Sequence, residues 1–214
     1  MRDRSYHHGD LRAALLARAG QTLQEKGADA LSLRELARDL GVSHAAPSRH
    51  FKDRRALLDA LALNGFDQLT EVLVAAAPSE GTFRDRLAAL TRAGVGFAVA
   101  EPELMIMMFS RKHDSDAAEE VQAAWLRLAA PVFAVIEGGQ RSGDVHEGDL
   151  ERIAVSVFIV VHGVASLTAA GVLSDDETPH ALDDAIEHLI RGLKPLASAD
   201  AAADANAAAP SSLL

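Results

Sequence analysis

The stretch LSLRELARDLGVSHAAPSRHF, residues 31–51, constrains the fold most tightly. It spells two short helices joined by a tight turn. Ser32 and Glu35 stand in S-x-x-E spacing, where a hydroxyl and a carboxylate can each satisfy a free backbone N–H at a helix start. Leu33, Leu36, Ala37 and Leu40 recur at helical spacing and would form one buried stripe. Gly41 supplies the left-handed conformation that ends such a helix. Ser43 is placed to cap a third helix over residues 44–50. Ala37 is small where the two helices would approach, and Val42 is the inward apolar peg of the turn Gly41–Val42–Ser43. Pro47 removes a backbone donor one turn into the third helix, so that helix is expected to start irregularly.

The rest of the chain keeps the helical period. Leu11, Leu15, Ala19 and Leu23 line one face of a first helix, and Gly27 ends it. Asp53 is placed to cap a fourth helix over residues 54–76. Pro78 to Gly81 is a break, and Thr82, with Asp85 three residues on, opens a fifth helix. Pro102 breaks the chain again. A further helix is expected over residues 114–137, then a loop, EGGQRSGDVHEGD. A long apolar helix is expected over residues 149–170. Thr178 followed by Pro179 signals the last helix, which runs to about Lys194. No alternating strand pattern, glycine-rich phosphate loop or internal repeat occurs, so the expected fold class is all-α.

Charge divides the chain. Residues 1–58 carry eleven Lys and Arg against seven Asp and Glu, although the whole 214-residue chain has a formal net charge of −10. A basic first part can approach phosphate, and an acidic remainder is unsuited to it. Arg34, Arg49, Lys52, Arg54 and Arg55 flank the turn, as a helix seated in a DNA major groove would require.

The run LRAALLARAGQTLQEKGADALSLRELARDLGVSHAAPSRHFKDRRALLDAL, within about residues 9–69, resembles the DNA-binding domain of the tetracycline-repressor (TetR/AcrR) family of bacterial regulators. The opening YHHGDLR is similar to a subset of that family. The resemblance implies an all-helical homodimer. Each protomer would have an N-terminal three-helix helix-turn-helix head and a larger C-terminal ligand-binding and dimerisation body. It implies residues 1–8 as a flexible arm, 9–69 as the DNA-binding domain with its motif at 32–51, and 70–195 as the regulatory body. It also implies a double-stranded DNA operator as partner. Carried over residue by residue, Arg34 would meet phosphate, His44, Ala45 and Ala46 would face base edges, and Ser48, His50 and Arg54 would hold the DNA backbone; Ser43 and Arg49 complete the expected DNA-binding set. Ser48 replaces a usual tyrosine and loses reach; Arg54 replaces a usual lysine and keeps the charge. Arg2 and Arg4 would either enter a minor groove or remain solvated.

The body is less legible. VVHGVASLTAAG, residues 160–171, is similar to a Trp-His-Gly signature of one subgroup, with Val161 in place of the tryptophan. The last two helices are expected to pair with their symmetry mates as a four-helix interface. Phe66, Met105, Met108, Phe109, Trp125, Leu128, Phe133 and Phe158, with His162 as a polar handle, are either ordinary core or the lining for an unidentified small-molecule effector, apolar or fatty in character.

Other readings have less behind them. Residues 153–173 hold no formal charge and are long enough to span a bilayer. Their His162, Gly163, Ser166 and Thr168, and the solitary occurrence, favour a helix buried between subunits and no membrane. The chain has no cysteine, which fits a reducing, cytoplasmic location. His113, Asp114 and Asp116, or His146 and Glu147, lack ligand spacing on one face, so no metal and no cofactor is expected. No motif positions a nucleophile, so no enzyme is expected. The alternative to a repressor is a helical interaction module, or an activator without ligand-induced release.

Overall fold

The computed structural model describes residues 8–114, 118–174 and 176–195. These form α1 (His8–Lys26), α2 (Leu33–Asp39), α3 (Arg54–Ala76), α4 (Phe83–Ala100), α5 (Pro102–His113), α6 (Glu119–Ser142), α7 (Leu150–Ala169) and α8 (Glu177–Leu193). Two 3-10 turns, Ala28–Ala30 and Pro47–Arg49, complete them. No strand occurs among the described residues. Arg2, Arg4 and the tail at 196–214 lie outside them.

Local chemistry explains most helix ends. The α1 stripe Leu11, Leu15, Ala19 and Leu23 is buried. At the end of α2, Gly41 has φ 65°. There Val42 N–H donates to Ala37 O at 2.9 Å and Gly41 N–H to Arg38 O at 3.1 Å, closing the helix through a left-handed residue that favours glycine. The expected capping box at the start of α2 is not formed. Ser32 is the N-cap but its side chain accepts no capping bond, and the Glu35 carboxylate lies 3.7 Å from Arg38 instead.

The third helix expected over residues 44–50 is absent as an α-helix. A turn closed by Ala46 N–H to Ser43 O (2.9 Å) leads into the short 3-10 turn Pro47–Arg49. Pro47 has no N–H to offer Ser43, and its ring would crowd the carbonyl an α-turn places there. Ser43 therefore acts through its backbone carbonyl and not as a side-chain cap.

α3 is the shared spine. Its residues Leu57, Leu58, Asp59, Ala60, Leu61 and Ala62 are all buried. Six consecutive buried positions cannot be a single amphipathic stripe, so helices must surround this segment. α3 packs against α1, α4, α5 and α6. At Gly65 an added Cβ would lie 2.5 Å from Met108 Sδ and 3.0 Å from Leu104 Cδ1. The missing side chain is what lets α5 lie so close to α3. Asp53 caps α3, accepting from Ala56 N–H at 2.9 Å.

α4 begins with the capping box that α2 lacks. Thr82 Oγ1 accepts from Asp85 N–H at 3.2 Å, and Asp85 accepts from Thr82 N–H at 3.0 Å. The Thr82 hydroxyl and then its backbone N–H hold the Asp85 carboxyl below its ordinary value. A depressed folded value contributes stability above the unfolded value and loses it as pH falls through the folded one. Over urea unfolding curves between neutral pH and pH ~3, wild type is expected to lose more stability than Asp85→Asn. Equal losses would show that the cap does not depend on the charge.

Residues 102–113, left unassigned by the periodicity, form α5: Pro102 occupies a first-turn position and starts a helix where it had been read only as a break. The chain turns by 106° between α4 and α5, at Glu101. The helix expected over 114–137 is α6, shifted to Glu119–Ser142. It continues through Gly138 and Gly139 because Gly139 faces the Phe83 ring and Val145, where a Cβ would lie 2.6 Å from each. It ends only at Gly143, φ 79°. α8 starts at Glu177, before the Thr178–Pro179 signal: Glu177 accepts from Ser174 N–H at 3.0 Å and its own N–H donates to Ser174 Oγ at 3.3 Å.

α7 is long and apolar enough to cross a membrane by length and composition, as is α6. Its face Ile153, Ala154, Val157, Val161, Val164 and Ala165 is nevertheless buried within the chain, and it packs against α4, α6 and α8. Val161, where the resembling signature has tryptophan, sits 3.3 Å from the Cβ position of Gly94 on α4. Arg92 bonds Asp183 at 2.9 Å and Arg84 bonds Glu187 at 2.7 Å, tying α4 to α8.

Candidate nucleic-acid interface and its link to the body

The head is built on Leu15, Leu23, Leu31, Leu36, Phe51 and Leu57, all at most 2% exposed. Pro47 is buried against this core. It pins the middle of the turn, so its neighbours project outward. Ser43, His44, Ala45, Ser48 and Arg49 are exposed; Ala46 and His50 are half-buried. The end of the turn is closed by Arg49 N–H to Ala46 O at 3.2 Å and Phe51 N–H to Pro47 O at 2.9 Å. Ala46 packs on the core, so of the expected base-facing residues it offers the least surface.

The basic groups divide into two kinds. Arg34, Arg49 and Lys52 are exposed and make no ion pair among the described residues. Arg54 instead donates to Leu31 O at 3.1 Å and Ala28 O at 2.7 Å, with Asp29 at 3.7 Å. It fastens the start of α3 to the segment after α1. One cation was missed by the sequence: the Arg12 guanidinium lies 5.4 Å from the centre of the Phe51 ring, an attractive arrangement that holds a charge beside the end of the turn. Arg12 and Phe51 stand 39 positions apart, and nothing in the spacing pointed to the contact.

The residues proposed to line an effector site come together only in part. Phe66, Phe109, Trp125, Phe158 and His162 form one aromatic cluster. Phe109 lies 6.0 Å from Phe66, 5.4 Å from Trp125 and 4.7 Å from His162, centre to centre, and Trp125 lies 4.9 Å from Phe158. The three Phe109 contacts are edge-on and the Trp125–Phe158 pair is tilted, all at distances of aromatic contact. Phe66, Met105, Met108 and Leu128 are buried core. Phe133 is half-buried and shares none of these ring contacts. His162 is anchored by Nδ1, 3.0 Å from Phe158 O, and Lys112 Nζ lies 4.4 Å over the Trp125 ring.

Head and body are joined by a buried ion pair. Arg111 of α5, 7% exposed, donates Nε (2.8 Å) and Nη2 (2.5 Å) to Asp59 Oδ1 of α3, itself 8% exposed. Asp114 accepts a third bond from Arg111. A second link is the bond from Gln24 of α1 to Glu101 at the α4–α5 corner. Among the described residues no three His, Asp or Glu groups could hold a metal ion; Asp116, weighed with His113 and Asp114, lies outside them.

A short head with an exposed basic turn, fixed to a larger all-helical body, defines a helix-turn-helix regulator. The profile of the tetracyclin repressor-like C-terminal domain matches residues 87–193, half the chain, and that of bacterial regulatory proteins of the tetR family matches residues 15–61. The chain belongs to the tetracycline-repressor family of DNA-binding transcriptional regulators, whose members bind DNA and act as dimers. An uncharacterized HTH-type transcriptional regulator of Mycobacterium tuberculosis is 24% identical over 88% of this chain and 96% of its own. The regulator BetI of Rhizobium meliloti is 27% identical over 72% of this chain and 75% of its own. A protein of unknown function from Rhodococcus sp. RHA1 superimposes with a TM-score of 0.81 at 45% identity, covering 90% of this chain and all of that one. A tetR-family regulatory protein from the same Rhodococcus superimposes with a TM-score of 0.71 at 22% identity, covering 87% and 98%.

Proposed function

We propose that this regulator is a repressor that binds a near-palindromic operator as a homodimer and releases it when a small apolar ligand enters the body. The observation that carries the reading is the exposed turn Ser43–Arg49 pinned by buried Pro47 and flanked by Arg34 and Lys52. His44 and Ala45 meet base edges; Arg34, Ser48, Arg49 and His50 hold phosphates. Arg54 serves first to brace α3, given its two carbonyl partners. The protomers pair through α7 and α8, where Val155, Ile159 and Leu167 form an exposed apolar face on α7 of the kind that marks an interaction site. The effector parts the aromatic cluster around Phe109. It acts by preferring a conformation with a different spacing of the two heads, since equal affinity for both would shift nothing.

Fluorescence anisotropy of a labelled duplex from the region upstream of the protein's own coding sequence, at several salt concentrations and beside a scrambled duplex, tests this. Binding to the native duplex alone, falling steeply with salt, is expected. Arg34→Ala is expected to weaken binding on every sequence and to reduce the salt slope by about one. His44→Ala is expected to change base preference, with a cost of roughly 1–3 kcal/mol on the preferred site. Unchanged affinity in Arg34→Ala would refute this docking.

A further inference from the structure

We infer that the cleft between α1 of the head, the shared helix α3 and α5 of the body is a binding site for a small organic cation, separate from the aromatic cluster. The cleft has a volume of about 480 Å³, within the range of small-molecule sites. Room is left along α1 where its lining residues are small, at Ala13, Ala17 and Gly20. A Cβ added at Gly20 would meet nothing within 4 Å. Its floor is aliphatic: Leu23, Leu61 and Leu104, each at most 8% exposed.

The polar groups select the charge. Gln21, Gln24, Asn64 and Gln68 supply amides, Glu101 supplies a carboxylate, and among the described residues no lysine, arginine or histidine lines the cleft. Among them, the one formal charge at the site is negative. Glu101, half-buried, accepts a bond from Gln24, so one of its carboxylate oxygens faces α1. Amide and carboxylate oxygens can accept from an ammonium group while the leucines cover its hydrocarbon. A carboxylic acid would meet Glu101 as a like charge. Beyond Gln68 and Glu101 an apolar groove between α3 and α4, with Val72 and Phe97, extends the space for a longer hydrocarbon.

The location gives occupancy a consequence. Glu101 is the corner where α4 turns into α5, and α1 belongs to the DNA-binding head. A ligand bridging them favours one head–body arrangement and so changes DNA affinity; this second effect rests on the proposed DNA-binding reading.

The test uses 4-phenylbutylamine and its acid counterpart, 4-phenylbutanoate, titrated by calorimetry into the full-length protein. The amine is expected to bind and the acid not. Glu101→Gln is expected to weaken the amine at least tenfold, and Gly20→Leu, which fills the cleft, to abolish it. Thermal melts of both variants check folding. No amine binding to wild type, equal binding of amine and acid, or binding indifferent to both variants would each overturn the site. In the anisotropy assay, saturating amine is expected to change duplex affinity at least fivefold. Unchanged affinity would overturn the coupling. Failure of the ligand-free protein to bind any duplex would instead count against the DNA-binding reading and leave the calorimetric result intact.

Discussion

Replacing Arg111 with alanine is expected to lower unfolding stability by about 3–5 kcal/mol. Asp59 would keep its carboxylate in a site where it is 8% exposed, with its guanidinium partner gone. The Coulomb attraction disappears while the desolvation cost of the remaining charge persists. The double variant Arg111→Met with Asp59→Leu is expected to recover most of that loss, because both charges leave together. Urea unfolding of the three proteins separates these contributions. A loss under ~1 kcal/mol in Arg111→Ala would place the pair among solvent-exposed ion pairs and contradict its burial.

Phe66→Ala is expected to cost about 3–5 kcal/mol. Phe66 is fully buried and touches Phe109 and Trp125 edge-on, at 6.0 and 6.4 Å. Truncation removes those contacts and leaves an apolar cavity beside Trp125, the chain's one tryptophan. That cavity is expected to take up benzene, read as a benzene-dependent rise in melting temperature absent from wild type. If Phe66→Ala proved nearly neutral, the cluster would be loosely packed and already open in the unliganded protein.

The two variants also distinguish the parts of the protein. Arg111 and Asp59 connect the helix shared with the head to α5, which also carries Phe109 of the aromatic cluster. α5 is thus the element that touches both the cluster and that shared helix, with Met108 and Leu104 lying close to α3 where Gly65 has no side chain.

The sequence by itself determined the helical period, the glycine ends at Gly27 and Gly41, the caps at Asp53 and Thr82, and the basic turn. These features are written within a few residues of one another, in backbone hydrogen bonds and φ angles that local chemistry decides. Where local signals misled, a competing local pair, a tertiary contact or a geometric conflict had overruled them. Ser32 and Glu35 had the spacing of a cap, but Glu35 turned to Arg38. Gly138 and Gly139 read as a break, but the Phe83 ring and Val145 pack where a side chain would stand, and α6 runs on. Pro47 let the third helix be anticipated as irregular, yet only the fold showed that proline buried as the pin of the turn. The Asp59–Arg111 pair, the Arg12–Phe51 contact and the cleft at Gly20 depend on residues 39 to 91 positions apart. Only tertiary structure decided these, because spacing along a chain fixes which face of a helix a residue occupies but not which helix it will meet.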